Sequence, residues 1–161
     1  MQPLTENELR ASFINASRKE VSDLSLPPNF DSLDWGRLDY LGWRDTKFDN
    51  RAYAVVPGLD GDTVTGIMFR HPGSRPGKRA QCAWCQDITL NSDVVLYAAK
   101  RSGKAGRNGD TVGTLLCEDF ECSRNVRKPL TAWYEGFDVD AARQEQIDGL
   151  HLRMSAFAAE L

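Results

Sequence analysis

Apolar positions along the chain change period several times, and each change marks an element. Thr5-Glu6-Asn7-Glu8 has the form of a capping box, and Leu9, Phe13 and Ala16 follow at helical spacing. That pattern predicts a short helix over about 5–19. Pro27-Pro28-Asn29 ends anything regular. Residues 30–51, rich in Asp and aromatics, read as an ordered loop that turns Trp35 and Trp43 into the core. Ala52–Val56 and Val64–Arg70 are β-branched and aromatic runs joined by Pro57-Gly-Leu-Asp-Gly-Asp62, which predicts a β-hairpin. His71–Arg79 is a Gly, Pro and basic connector unsuited to a helix or a central strand. Val94–Lys100 and Thr111–Leu116 predict a second hairpin, with a glycine-rich basic tip over Arg101–Asp110. A short helix should begin near Cys122 and stop before Pro129. Ile147, Leu150, Met154, Phe157 and Leu161 share one face of a C-terminal helix over 138–161.

Length fits one domain. The 161 residues, 41% of them hydrophobic, predict a single unit over 1–161. It divides into an N-terminal helix and connector (1–30), a β region (31–135) and the C-terminal helix, without internal repeats. No apolar run approaches the roughly 20 residues of a membrane helix, so no membrane association is expected. The first residues carry neither a basic nor an apolar leader, so the expected location is cytoplasmic.

Charge sharpens this picture. The net charge is −3, yet residues 70–107 carry eight basic side chains against Asp87 and Asp93, a local +6 against −9 elsewhere. The tip lacks the spacing of a nucleotide-binding phosphate loop. It reads either as a solvated turn or as an electrostatic contact for RNA or an acidic protein surface. The candidate partner-binding residues are Lys100, Arg101, Lys104 and Arg107, with Arg124, Arg127 and Lys128 after the last cysteine.

All four cysteines lie between positions 82 and 122. Two residues separate Cys82 from Cys85, thirty-one lie between the pairs, and four separate Cys117 from Cys122. Paired short spacings can turn four sulfurs toward one tetrahedral zinc, and a reducing compartment favours metal over disulfides. Two disulfides would suit an exported protein instead. A thioredoxin-like site would need a βαβ setting, and a zinc deaminase a His-x-Glu element. His71 reads as the end of a strand and His151 as the flank of the last helix. Knuckle, hairpin and a closing pair at a helix start form the layout of a treble-clef zinc finger. Four thiolates close the coordination shell, so one structural zinc is expected. Arg124, Arg127 and Lys128 would offset its formal −2, and Glu118, Asp119 and Glu121 would oppose them. The fold class is therefore α+β: a small antiparallel or mixed sheet of two hairpins, flanking helices and a treble clef.

Cys82-Ala-Trp-Cys85, Leu96–Thr114 and Cys117-Glu-Asp-Phe-Glu-Cys122-Ser-Arg-Asn-Val-Arg127, with Leu38-Asp-Tyr-Leu-Gly-Trp43 before them, resemble a known family. It is the zinc-finger domain of elongation factor G-binding (FBP-domain) proteins, which include fusidic-acid-resistance proteins. The resemblance covers about residues 33–130. It implies Cys82, Cys85, Cys117 and Cys122 as zinc ligands. It also implies a docking platform that binds elongation factor G and helps it leave a stalled ribosome. Resistance-associated members carry an N-terminal helical bundle, where this chain shows one short helix. The expectation is a non-enzymatic binding protein without a small-molecule substrate, docking on elongation factor G or the ribosome to modulate translation. The alternative is a zinc-stabilised RNA-binding module acting through the 100–107 loop. An enzyme using Cys82 or Cys85 as nucleophile would lack an activating histidine in the motif. Tyr97 and Phe120 read as core.

Overall fold

Two capping boxes, not one, shape the N-terminal segment. The computed structural model describes residues 1–71, 73, 80–89, 93–130 and 134–161. The Thr5 hydroxyl accepts from the Glu8 amide while the Glu8 carboxylate accepts from the Thr5 amide, and Ser17 with Glu20 repeats the exchange. Each box satisfies amides that the first turn of a helix leaves open. The predicted helix over 5–19 is therefore replaced by α1 (Glu6–Ala11) and α2 (Arg18–Asp23). Between them the backbone turns strand-like: Phe13 bridges in parallel to Gly66, and Ile14 N donates to Gly66 O at 3.0 Å. Only glycine permits this approach. A Cβ at position 66 would lie 2.5 Å from Ser12 Oγ and 2.9 Å from Phe13 N.

Residues 30–51 also differ from expectation. Two 3-10 turns, Phe30–Ser32 and Trp35–Arg37, lead into a strand, β1 (Leu41–Arg44), which the expected loop did not contain. Leu41 and Trp43 alternate with half-buried neighbours, and two apolar positions are too few for period 2 to stand out. Trp43 is buried as expected, and its Nε1 donates to Ser25 O at 2.8 Å.

β2 (Arg51–Pro57) and β3 (Val64–Arg70) form the first hairpin, and β4 (Val94–Lys100) and β5 (Thr111–Cys117) the second. The sheet runs β1-β2-β3-β4-β5 and every strand pair in it is antiparallel. Its seam, between the hairpins, is short: among the described residues only Phe69↔Ala99 and Arg70↔Ala98 pair. Asn15 fills the opening beyond. Its Nδ2 donates to Met68 O and Lys100 O, both at 3.0 Å, and its Oδ1 accepts from Met68 N at 2.8 Å. A primary amide offers donors and an acceptor, as a strand's backbone edge does.

Both faces of the central strands are covered, which explains the near-continuous burial of β2. One face meets the N-terminal segment through Leu9, Leu24, Trp43, Tyr53, Val55 and Met68. The other holds Ala54, Ile67, Phe69 and Tyr97 against the cysteine loops and α5 (Val139–Ala159). Asp138 caps α5, and its buried residues Leu150, Met154 and Phe157 belong to the predicted face. Phe157 stacks on Phe69 with ring centroids 5.8 Å apart.

The tip of the second hairpin is not an open turn. It forms a one-turn helix, α3 (Gly103–Arg107), tied to the end of α5. Ser102 N donates to Leu161 O and the Arg101 guanidinium to Glu160 O. Gly106 is buried, and a Cβ there would fall 1.7 Å from Arg101 O. This glycine serves close packing rather than mobility. Of the predicted connector, Pro72 and residues 74–79 lie outside the described residues, Arg75, Lys78 and Arg79 among them.

Candidate metal centre

Each cysteine sits where the backbone changes direction. Cys82 and Cys85 flank a tight turn closed by Gln86 N donating to Cys82 O at 3.0 Å, and Gln86 takes a left-handed φ of 52°. Ala83 N donates to Leu115 O at 2.7 Å, which fastens the turn to the outer edge of β5. Cys117 is the last residue of β5, and Cys122 the first of a one-turn helix, α4 (Cys122–Asn125), which ends before Pro129 as expected. Between them Phe120 adopts φ 56°, with its N donating to Cys117 O at 3.1 Å and its O accepting from Tyr40 Oη at 2.9 Å. Gly42 makes room for this loop, because a Cβ there would lie 2.6 Å from the Phe120 side chain.

The four sulfurs converge. Cys82 to Cys122 and Cys85 to Cys117 are each 3.6 Å, and all four lie within 4.8 Å of one another. A disulfide requires about 2.05 Å, whereas a tetrahedron with Zn–S of about 2.3 Å has edges of about 3.8 Å. The cluster therefore fits a zinc ion. All four cysteines are buried and free of disulfides. Asn125 Nδ2 donates to Cys117 Sγ at 3.4 Å and to Cys85 Sγ at 3.7 Å. Hydrogen bonds with Cys117, Cys122 and Cys85 push the Cys82 thiol far down, while hydrogen bonds with Cys117, Cys82 and Cys85 push Cys122 up. Four sulfurs this close and buried form a donor set that suits a divalent cation. Four thiolates leave no open position, so the zinc is structural.

The three basic residues expected to offset the metal's charge each have a carboxylate of their own. Arg124 pairs with Glu121 at the surface. Lys128 pairs with Asp87 and donates to Thr89 Oγ1 at 3.0 Å. Arg127 grips the buried carboxylate of Asp39 with both terminal nitrogens and donates to Ser123 O at 2.9 Å. Asp39 also lies 3.1 Å from His151 Nε2, and its backbone N donates to Ser123 Oγ at 3.0 Å. One carboxylate thus joins the approach to β1, the segment around α4, and α5. Burial works against its ionisation, but the hydrogen bonds from His151 and Arg127 outweigh burial and hold its pKa at about 2. This junction was invisible in sequence, since its partners are 88 and 112 residues apart.

The two histidines stay outside the cluster. His71 directly follows β3, its ring edge-on to Tyr97 at 5.4 Å. Tyr97 and Phe120 are buried against each other, with centroids 5.2 Å apart.

At the opposite end of the hairpin, Lys100, Lys104 and Arg107 are exposed. Among the described residues neither Lys104 nor Arg107 makes an ion pair. Arg101 is engaged with the Glu160 carbonyl. A groove of about 350 Å³ separates this tip from residues 14–20 and is lined by Ile14, Ser17, Glu20, Lys100, Arg101 and Arg107 among others. The seven basic candidates therefore form two groups, four at the tip and three tied into the zinc end.

A knuckle turn, a β-hairpin and a helix start arranged around four convergent thiolates define a treble-clef zinc finger. The chain belongs to the FBP C-terminal treble-clef zinc-finger family, which matches residues 8–161. The match reaches beyond the 33–130 of the sequence resemblance and takes in α2 and α5 at either end. No curated protein and no solved structure matches the chain. Among the described residues no helix is long and apolar enough to cross a membrane.

Proposed function

We propose that this chain is a non-enzymatic, cytoplasmic docking module that binds elongation factor G, or the ribosome beside it, and modulates factor release during translation. Membership of the FBP family over 8–161 carries the reading. Two features support it. The cysteines are committed to a closed metal site, so no thiol is left as a nucleophile. The charges open to a partner, Lys104 and Arg107, stand at the end of the hairpin remote from the metal, on a turn fixed to α5.

Calorimetry of the zinc-loaded protein with purified, nuclease-treated elongation factor G tests the reading. A complex of micromolar or tighter affinity is expected. Lys104→Glu with Arg107→Glu should weaken it by at least about tenfold, or ~1.4 kcal/mol. No heat at micromolar concentrations would overturn the reading. The exposed Lys104 and Arg107, without an ion pair among the described residues, then favour the second reading, RNA binding, recognised by affinity that falls linearly on a logarithmic salt scale.

A further inference from the structure

β5 is the last strand of the sheet, and among the described residues its outer edge is engaged at its metal end, through Leu115 O and Cys117 O. Antiparallel strands point alternate residues toward and away from their neighbour. Arg101 N donates to Asp110 O, so Asp110 faces β4, and Val112, Thr114 and Leu116 follow it at period 2. Thr111, Gly113 and Leu115 therefore turn their amides and carbonyls outward. Leu115 O receives Ala83 N from the cysteine turn, so one outward carbonyl of the edge already takes a backbone donor. Among the described residues no backbone partner meets Thr111 or Gly113, and both are exposed.

The surroundings define what would fit. On the uncovered face of the hairpin Leu96 and Leu115 are cross-strand partners, 46% and 36% exposed. Lys100 lies opposite Thr111 in the register, and α3 with Lys104 and Arg107 stands just beyond that end. An edge of this kind is apolar toward the metal and basic toward the tip. Gly113 sits in the middle without a side chain to hold a visiting backbone off.

We infer that the Thr111–Gly113 edge receives an extended, acidic segment of the protein partner as a sixth strand. Its backbone hydrogen-bonds to Thr111 and Gly113, its acidic side chains face Lys100, Lys104 and Arg107, and an apolar side chain covers Leu96 and Leu115. Strand addition takes affinity from main-chain bonds and selectivity from alternate side chains. The inference rests on the docking reading above and names the surface that reading uses. Nucleic acid could satisfy the charges but not the ladder, which separates this mode from RNA binding.

The test replaces one outward donor and no charge. Gly113→Pro removes the outward N–H while the pairing of Val112 and Thr114 with β4 is kept, a placement that edge strands tolerate. The space allows it, since a Cβ at 113 would meet Leu96 Cδ1 at 3.4 Å. With purified elongation factor G as probe, Gly113→Pro is expected to weaken binding by about tenfold or more, with zinc stoichiometry and melting temperature kept. In the unsubstituted complex the Thr111 and Gly113 amides should exchange with deuterium more slowly than in the free protein. Unchanged amide exchange in a complex that does form overturns the inference and leaves the docking reading standing. So does full affinity of a folded Gly113→Pro chain. Failure of the unsubstituted chain to bind removes the docking reading and this inference with it. If Gly113→Pro loses zinc or melts early, the exchange measurement decides alone.

Discussion

The two ends of the β4–β5 hairpin are held by opposite means. At one end, four cysteines from two loops converge, two non-glycine residues take left-handed backbone, and three cations are matched to three carboxylates. At the other, a helical turn whose Lys104 and Arg107 make no ion pair among the described residues is fixed by the Glu160 and Leu161 carbonyls just past α5, the buried Gly106, and the Asn15 amide at the seam. The first arrangement concentrates stabilisation in one ion. The second spreads it over backbone and amide groups and the Arg101 guanidinium, and leaves Lys104 and Arg107 for something else. Charge close to a thiolate site is spent on internal pairing. Charge carried on a neutral scaffold stays available to a partner.

Metal removal should separate the ends most strongly. Chelation of one zinc per chain withdraws on the order of 10 kcal/mol of apparent binding free energy, comparable to a domain's whole stability. Amides of 82–86 and 117–126 should lose protection from exchange first, and the seam at Met68 and Lys100 later. Simultaneous loss at both ends would show that they form one cooperative unit and break the contrast.

Asn15→Ala attacks the other end. It leaves Met68 N, Met68 O and Lys100 O without their side-chain partner in a buried place, and should cost about 3 kcal/mol. The urea midpoint should fall while zinc stoichiometry stays at one. Zinc loss accompanying Asn15→Ala would mean the metal end depends on the seam.

Acid offers the finest cut. Asp39 is held at a pKa of about 2 in the fold, below its ordinary value near 3.8. Its depressed folded value means a contribution fully present above pH ~4 and lost as pH falls from about 4 to about 2, amounting to ~2 kcal/mol. Asp39→Asn should be less stable than the unsubstituted chain at pH 7, and the gap should narrow by pH 2.5. The difference in urea midpoints between the two proteins at each pH reads the contribution of the carboxylate. A gap independent of pH would refute the assignment.

Much of this was legible in the sequence where a short period or a short spacing carried it. Val64–Arg70 and Val94–Lys100 announced strands through β-branched and aromatic residues, and the C-terminal helix showed its face at Leu150, Met154 and Phe157. The cysteine spacings announced the metal site. The break between α1 and α2 has its own sequence signal, since Ser17-Arg-Lys-Glu20 is a second capping box. β1 had almost none, with glycine between its two buried residues. α3 contains two glycines in five residues, and its helical form follows from docking on Glu160 and Leu161, which no local propensity records. Arg127 is read in sequence as a cation near a metal. Only the fold brings Asp39 to it and gives that charge a different task.

The Asn15 amide has a consequence in time. Each hairpin closes over a short stretch, but the seam between them needs a residue to meet partners 53 and 85 positions further along. Contacts so distant in sequence form slowly, because the intervening chain must be ordered before they are rewarded. A growing chain exposes Asn15 long before Lys100 is synthesised, so the sheet stays in two halves until β4 arrives. The joining of the hairpins, rather than either hairpin, should set the pace at which this fold completes.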